Sequence, residues 1–286
     1  MSFKILQKRE LTPDTVLMRI DAPRVARAAR PGQFVIVRVS YQGERIPLTI
    51  ADYDPAAGWV AIVTQGVGAS TRRLNAMDEG DSLTDFAGPL GRPSEFIDLS
   101  PEELARKKFL FVAGGVGVAP VYPQVKWLHE RGVAVDVIIG ARSADLLILT
   151  DEMRAVCDNL YLSTDDGTAG YNGLVTGLIK ELIDNRAKTY DEVVTIGPMV
   201  MMKFVARTTA DYGLPTIASL NTLMVDGTGM CGACRVTVGG TIYFACVDGP
   251  EFDAHKVDFD EAMRRQTMYR DFESAADHKC KIGLDR

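Results

Sequence analysis

The segment Asp226-Gly-Thr-Gly-Met-Cys231-Gly-Ala-Cys234, with Cys246 further on, has the spacing D-x4-C-x2-C-x11-C. Plant-type [2Fe–2S] loops use C-x4-C-x2-C with a distant fourth Cys. This chain keeps that register and sets Asp226 at the first position. The intervening Gly227, Gly229, Gly232 and Ala233 are small. A loop around a cluster must bring its N–H groups close to sulfur, and glycine permits both the approach and the positive φ angles it needs. Arg235 to Tyr243 (RVTVGGTIY) has the form of a tight hairpin that returns Cys246 to the loop. The cysteines are also compatible with structural zinc, held by Cys231, Cys234, Cys246 and Cys280. In that case the chain would be a non-catalytic zinc-binding interaction module.

The remaining sequence narrows the class. A chain of 286 residues suits two domains and a small third. The net charge of −6 offers no footprint for nucleic acid or an anionic membrane. Five cysteines, three of them clustered, do not resemble a secreted disulfide framework. The opening MSFKILQKRELTP lacks the apolar stretch of a signal peptide. The longest uncharged run, Phe109 to Gln124, is broken by Gly and Pro and is too short for a membrane span. A cytoplasmic protein is expected.

The first hundred residues carry short β-branched runs at Thr15–Ala22, Gln33–Ser40, Ile46–Ala51 and Trp59–Gln65, separated by turn signals. They predict an antiparallel barrel or sandwich, with one helix from Ser70 to Met77. After Pro93 the pattern changes. Pro101 to Lys108 has helical character, and Phe109–Ala113 is a continuous apolar run of the kind a buried parallel strand shows. Helices are predicted at Val121–Arg131, Asp145–Asn159, Gly173–Asn185 and Met199–Tyr212. Strands are predicted at Val133–Gly140, Tyr161–Thr164 and Glu192–Ile196. Such alternation means a parallel sheet. The expected domains are 1–98, 99–220 and 221–286, the last ending in a helix and a charged tail packed on a neighbour or partner.

Three motifs suggest cofactor chemistry. Arg45-Ile-Pro47-Leu48-Thr49 at a barrel rim puts a cation and a hydroxyl where a flavin nucleotide could lie. Gly66-Val-Gly68-Ala-Ser70-Thr71 closes a strand and opens a helix, with Ser70 suited to the N-cap, and free N–H groups there suit a diphosphate. Gly114-Gly115-Val-Gly117-Val-Ala-Pro120 stands at a strand–helix junction, where a dinucleotide turn belongs, although Pro120 holds the third glycine position. Pro is compatible with a first helical turn.

In this order the motifs RIPLT (45–49), GVGAST (66–71), GGVGVAP (114–120), GAR (140–142), TDDGTAGYNGLVT (164–176), IGPMVMMK (196–203) and the cysteine loop resemble the ferredoxin–NADP⁺ reductase superfamily. Within it the chain is similar to the electron-transfer subunits of dihydroorotate dehydrogenase, sulfide dehydrogenase and the bifurcating NADH-dependent ferredoxin:NADP⁺ oxidoreductase. The resemblance covers nearly the whole chain. It implies a flavin-binding antiparallel barrel, an α/β nucleotide-binding domain with a parallel sheet, and a small C-terminal [2Fe–2S] segment. FAD would be held by Arg45, Pro47, Leu48, Thr49, Gly66, Gly68, Ser70 and Thr71. NAD(H) would be held by Gly115, Gly117, Pro120, Arg142, Asp165, Asp166, Gly197 and Pro198. The cluster would be held by Asp226, Cys231, Cys234 and Cys246. No side chain need act as a catalytic group, since the cofactors carry the redox chemistry.

An Asp at the first ligand position is similar to the small subunit of the bifurcating oxidoreductase, whereas dihydroorotate dehydrogenase subunits are expected to carry four cysteines. The resemblance therefore implies a heterodimer with a larger subunit carrying a second flavin and [4Fe–4S] clusters, and an indirect exchange with ferredoxin. Asp165 and Asp166 predict NAD(H) over NADP(H), because a carboxylate accepts a hydrogen bond from a ribose 2′-OH and repels a 2′-phosphate. Ile196 stands where plant-type reductases carry a Cys, so their hydride-transfer geometry does not carry over in detail. His129, His255 and His278 lack metal spacing. Cys157 is expected as a core thiol in a helix, Cys280 as a tail residue, and Met199, Met201 and Met202 as helix packing.

Overall fold

The computed structural model describes residues 3–281. The N-terminal strands are β1 (Phe3–Thr12), β2 (Thr15–Asp21), β3 (Phe34–Arg38), β4 (Ile46–Asp54), β5 (Trp59–Gln65), β6 (Ser82–Leu83) and β7 (Asp85–Leu90). They form one antiparallel sheet in the order β6-β1-β2-β5-β4-β3-β7. Its edge strands β6 and β7 are separated in sequence by Thr84 alone, which bonds back to Arg38 O at 3.0 Å. This brings the two edges together and nearly closes a barrel. Inward-facing Met18, Ile20, Val35, Val37, Ile50, Val60 and Ile62 fill it. Two helices flank the strands, α1 (Pro23–Ala28) and α2 (Ala69–Asn75).

The second sheet contains β8 (Phe109–Gly114), β9 (Val135–Ala141), β10 (Asn159–Thr164), β11 (Tyr171–Asn172), β12 (Glu192–Ile196) and β13 (Thr216–Ser219). The order is β11-β10-β9-β8-β12-β13, all parallel. Its helices are α3 (Pro101–Leu104), α4 (Val118–His129), α5 (Thr150–Arg154), α6 (Val175–Lys180) and α7 (Met199–Ala210). Burial of every residue of β8 follows from helices covering both faces of a parallel sheet. The C-terminal part adds the hairpin β14 (Arg235–Val238) and β15 (Thr241–Phe244), then α8 (Ala245–Asp248), β16 (Glu251–Asp253), α9 (Phe259–Gln266) and α10 (Arg270–Lys281).

Strand β16 pairs antiparallel with β13 and extends the nucleotide-type sheet at its edge. One apolar core joins Phe34 and Ile36 of the barrel, Met199 and Met202 of α7, and Met224, Cys234, Val236 and Cys246 of the cysteine segment. The three parts of the chain thus meet at a shared interior.

Several local expectations need correction. Strands β1, β6 and β7 were not legible, because β1 mixes charged and apolar residues without clean alternation. The helix expected over Asp145–Asn159 is only Thr150–Arg154. Leu149 takes a left-handed φ of 53°, so that Ile148, Leu149 and Met153 can all turn into the core. The helix expected over Pro101–Lys108 is a single turn, closed by a Ser100–Glu103 capping box. The helix expected from Gly173 begins at Val175 and ends in a π turn over Glu181–Asn185. Helix α4 starts at Val118 rather than Val121. Cys157 follows α5 instead of lying within it, and burial pushes its thiol up to about 11. The C-terminal end is two helices. Helix α10 lies on α2 of the same chain, with Arg72 Nε 2.8 Å from Asp277 Oδ1; residues 282–286 lie outside the described part.

Candidate functional site

Two clefts open where the barrel meets the parallel sheet. The first, of about 720 Å³, is walled by Pro47, Leu48 and Thr49 of β4, by Val63 and Gln65 of β5, and by the turn Gly114–Gly117 with Pro120. Ile196, Gly197, Pro198 and the chain around Asn221–Met224 complete it. The second, of about 770 Å³, is walled by Gly140, Arg142, Asp165, Leu174, Val175 and Phe204. Both clefts are lined by Gln65, Gly114, Gly115, Val116, Pro198 and Val200. They are therefore two rooms with one common wall. That arrangement can hold a flavin ring and a nicotinamide against each other across the ends of β5, β8 and β12.

The common wall is built by close backbone approach. A Cβ on Gly117 would lie 2.2 Å from Ile196 O, so only glycine lets this turn meet the end of β12. Met201 occupies the space beside Gly114 and Gly197, a packing role consistent with its place in α7. Gly115 takes a φ of 55° and faces open space. Its N–H and those that follow stand at the start of α4, where a phosphate is favoured. Pro120 falls on the third residue of α4, still within the turn whose N–H groups lack helical partners.

Two neighbouring aspartates are separated by the fold. Asp165 lines the second cleft. Asp166 is occupied by its own turn: its Oδ1 accepts from Thr168 N at 3.0 Å and Thr168 Oγ1 at 2.6 Å. Those two bonds hold its carboxyl below the usual carboxylate range. Asp165 thus borders the cleft, and Asp166 shapes the loop.

The first glycine segment reaches the second cleft only through Val67, and its arginine points elsewhere. Arg45, Gly66, Gly68, Ser70 and Thr71 are not in the lining of either cleft. The Arg45 guanidinium donates from Nε to Val225 O at 3.2 Å and from Nη2 to Asp226 O at 3.4 Å. Ser70 is not the N-cap. Gly68 holds that position, with its N–H bonded to Thr71 Oγ1 at 3.1 Å, and the Ser70 hydroxyl donates to Glu44. Gly68 has open space beside it.

In the cysteine loop, Cys234 and Cys246 are buried with their sulfurs 3.2 Å apart. Burial, and then hydrogen bonding with Cys234, push the Cys246 thiol up to about 12. A bound metal is what turns such thiols into thiolates. Cys231 is exposed. The Asp226 carboxylate accepts from Thr228 N at 2.7 Å and Cys231 N at 2.9 Å, which hold it below its ordinary range. Gly227, Gly229 and Gly232 all have positive φ. Among the described residues no three His, Cys, Asp or Glu side chains are gathered at metal-binding distance, so the predicted set Asp226, Cys231, Cys234 and Cys246 is not closed around a centre here. Its chemistry, three thiols and a carboxylate on a glycine-bent loop, fits an iron–sulfur cluster. Cys280 lies in α10, an element packed on α2, so the four-cysteine zinc set draws on a separate part of the fold.

Sequence reasoning missed Glu251. Its Oε1 accepts from Ser94 Oγ and from Gln124 Nε2, each at 3.0 Å. Ser94 follows the barrel, Gln124 is on α4, and Glu251 begins β16, so one carboxyl joins all three parts. Burial raises it to about 7 against the pull of those two bonds. Buried Gln124 Oε1 has no hydrogen-bond partner. Its strand, Glu251-Phe-Asp253, carries two acidic residues of three and gave no signal of this group.

Residues 221–258 match the family model described as the iron-sulfur cluster binding domain of dihydroorotate dehydrogenase B. A Thermotoga maritima protein named as a homologue of the dihydroorotate dehydrogenase B (NAD(+)) electron transfer subunit is 45% identical over 270 residues, covering 94% of this chain and 92% of that one. The Fusobacterium nucleatum electron transfer subunit of dihydroorotate dehydrogenase B is 31% identical over 256 residues, covering 88% and 95%. A chain from the structure of an NADH-dependent reduced ferredoxin-NADP oxidoreductase, solved in the context of flavin-based electron bifurcation, superposes with a TM-score of 0.88 at 43% identity and covers 96% of each chain. Fold, cysteine loop and whole-length similarity agree: this chain belongs to the family of dihydroorotate dehydrogenase B electron-transfer subunits and their homologues.

Proposed function

We propose that this protein is an electron-transfer flavoprotein subunit that passes electrons between NAD(H), FAD and a [2Fe–2S] cluster to a larger partner subunit of a ferredoxin:NADP⁺ oxidoreductase complex of the bifurcating type. The observation that carries this reading is the pair of clefts with one common wall at Gln65, Gly114–Val116 and Pro198, next to the cysteine loop. When bound, FAD exchanges a hydride with nicotinamide and single electrons with the cluster. The chain's own residues supply the positioning. Pro47, Leu48 and Thr49 would bed the flavin ring, and Gly115, Arg142, Asp165 and Pro198 would seat the nicotinamide nucleotide. Gly117, Pro120 and Gly197 bound the flavin side of the same wall, and Gly66, Gly68, Ser70 and Thr71 are left for the outer part of FAD. Asp226, Cys231, Cys234 and Cys246 would take the cluster. The division into barrel, α/β domain and cluster segment follows the same roles, with β16 as a bridge.

The partner would carry a second flavin and [4Fe–4S] clusters, and ferredoxin would be reached through it. Similar chains are named as electron transfer subunits. Five free thiols suit a reducing cytoplasm; among the described residues no helix is long and apolar enough to cross a membrane. A second reading, an electron-transfer subunit for dihydroorotate dehydrogenase, is favoured by the family model at 221–258. Asp226 in place of a cysteine argues for the first. The test is anaerobic purification with iron, flavin and partner analysis, followed by reduction with NADH and NADPH. FAD, two irons and a preference for NADH are expected. Zinc without flavin refutes the reading, and equal rates with both nucleotides refute the NAD assignment.

A further inference from the structure

Arg45 stands just before β4, two residues ahead of Pro47 on the flavin side, yet lines neither cleft. Its planar fork spans two successive carbonyls of the cysteine loop, Val225 O at 3.2 Å and Asp226 O at 3.4 Å. A second contact lies beside it. Gly227 has a φ of 78°, and a Cβ there would come 2.8 Å from Leu90 Cδ1 and 3.0 Å from Ile36 Cγ1. The loop backbone is therefore pressed flat on β3 and β7. Ile36 is the cross-strand partner of Pro47. Such partners share one face of a sheet, so the loop rests on one residue of a pair whose other residue borders the flavin cleft.

We propose that Arg45 is a positioning residue that docks the cluster loop onto the flavin barrel. The proposal rests on the reading of this loop as the cluster site. While Arg45 holds the carbonyls of Val225 and Asp226, the Thr228 and Cys231 amides donate to the Asp226 carboxylate. Arg45 thereby fixes the backbone of the residue at the first ligand position. A guanidinium can serve two carbonyls at once; an ammonium is a point charge without that fork. Electron exchange between two carriers weakens steeply with separation, so a loop released from the barrel would slow it.

The test uses the full chain purified anaerobically with its cofactors, with Arg45→Ala and Arg45→Lys. Hydrogen exchange at the Thr228 and Cys231 amides is the readout, with flavin content measured alongside. Both variants are expected to exchange about tenfold faster at those amides, the effect of losing one or two hydrogen bonds from a local opening, with flavin content equal to wild type. Unchanged exchange in both variants overturns the proposal. So does loss of flavin with the loop undisturbed, which would make Arg45 a diphosphate ligand. Wild-type exchange in Arg45→Lys alone also overturns it, since charge would then suffice. Absence of iron from the wild-type protein as isolated would defeat the cluster assignment, while the exchange result would still decide the Arg45 contact.

Discussion

Replacing Glu251 with Gln should make the protein more stable above neutral pH and flatten its pH dependence. The carboxyl is lifted from an ordinary 4.5 to about 7, by burial first and then by Glu192 and Glu95, while Ser94 and Gln124 pull the other way. Glu192 is itself paired with Lys107 at 2.6 Å, which mutes its effect. A raised carboxyl pKa means that folding favours the protonated form. The contribution is fully present below the unfolded value near 4.5, is lost as pH rises towards about 7, and is flat above that. Each tenfold in the ionisation constant is worth about 1.4 kcal/mol, so ionised Glu251 costs about 3 kcal/mol at pH 8. The amide of Gln is neutral throughout. Its oxygen can accept from Ser94 and Gln124 as Oε1 does, and its NH₂ supplies a donor in the neighbourhood of orphaned Gln124 Oε1. For a chain of this size about 3 kcal/mol corresponds to about 6 °C in midpoint. The assay is thermal unfolding at pH steps from 5 to 8.5. The expected result is a gap between variant and wild type that is small at pH 5 and grows to several degrees by pH 8. Parallel curves, or a variant less stable at pH 8, would refute the reasoning.

Gly117→Ala should destabilise by about 2 kcal/mol or more, because its Cβ meets a backbone oxygen that cannot swing away; denaturant midpoints and flavin content would report it. Asp165→Asn should relax nucleotide choice by about tenfold in the ratio of kcat/KM for NADH over NADPH. Asp166→Asn should leave that ratio in place and loosen the turn around Thr168. Cys234→Ser or Cys246→Ser should abolish bound iron, whereas Cys157→Ser and Cys280→Ser should retain it. Iron analysis and electron paramagnetic resonance would distinguish them.

The order of chemistries was legible along the chain because each is local. Short β-branched runs between turn signals over Thr15–Gln65 mark a barrel, the run Phe109–Ala113 before glycines marks a parallel strand and its turn, and the register of Asp226, Cys231 and Cys234 marks a cluster loop. Residue types at short fixed offsets suffice for such features. What only the tertiary structure decided involves partners far apart in sequence. Asp165 and Asp166 are equivalent as neighbours, and became distinct only when Thr168 captured one and the second cleft took the other. Arg45 belonged to the flavin motif by position, but its fork found carbonyls 180 and 181 residues away. Glu251 had no motif at all; it was defined by Ser94 and Gln124, which burial brought to one oxygen. The opening loop shows both sides. Its spacing names the elements that can bind there, but how Asp226 and the barrel hold its backbone depends on long-range contacts, whose energies arise from desolvation and packing that no short window of sequence contains.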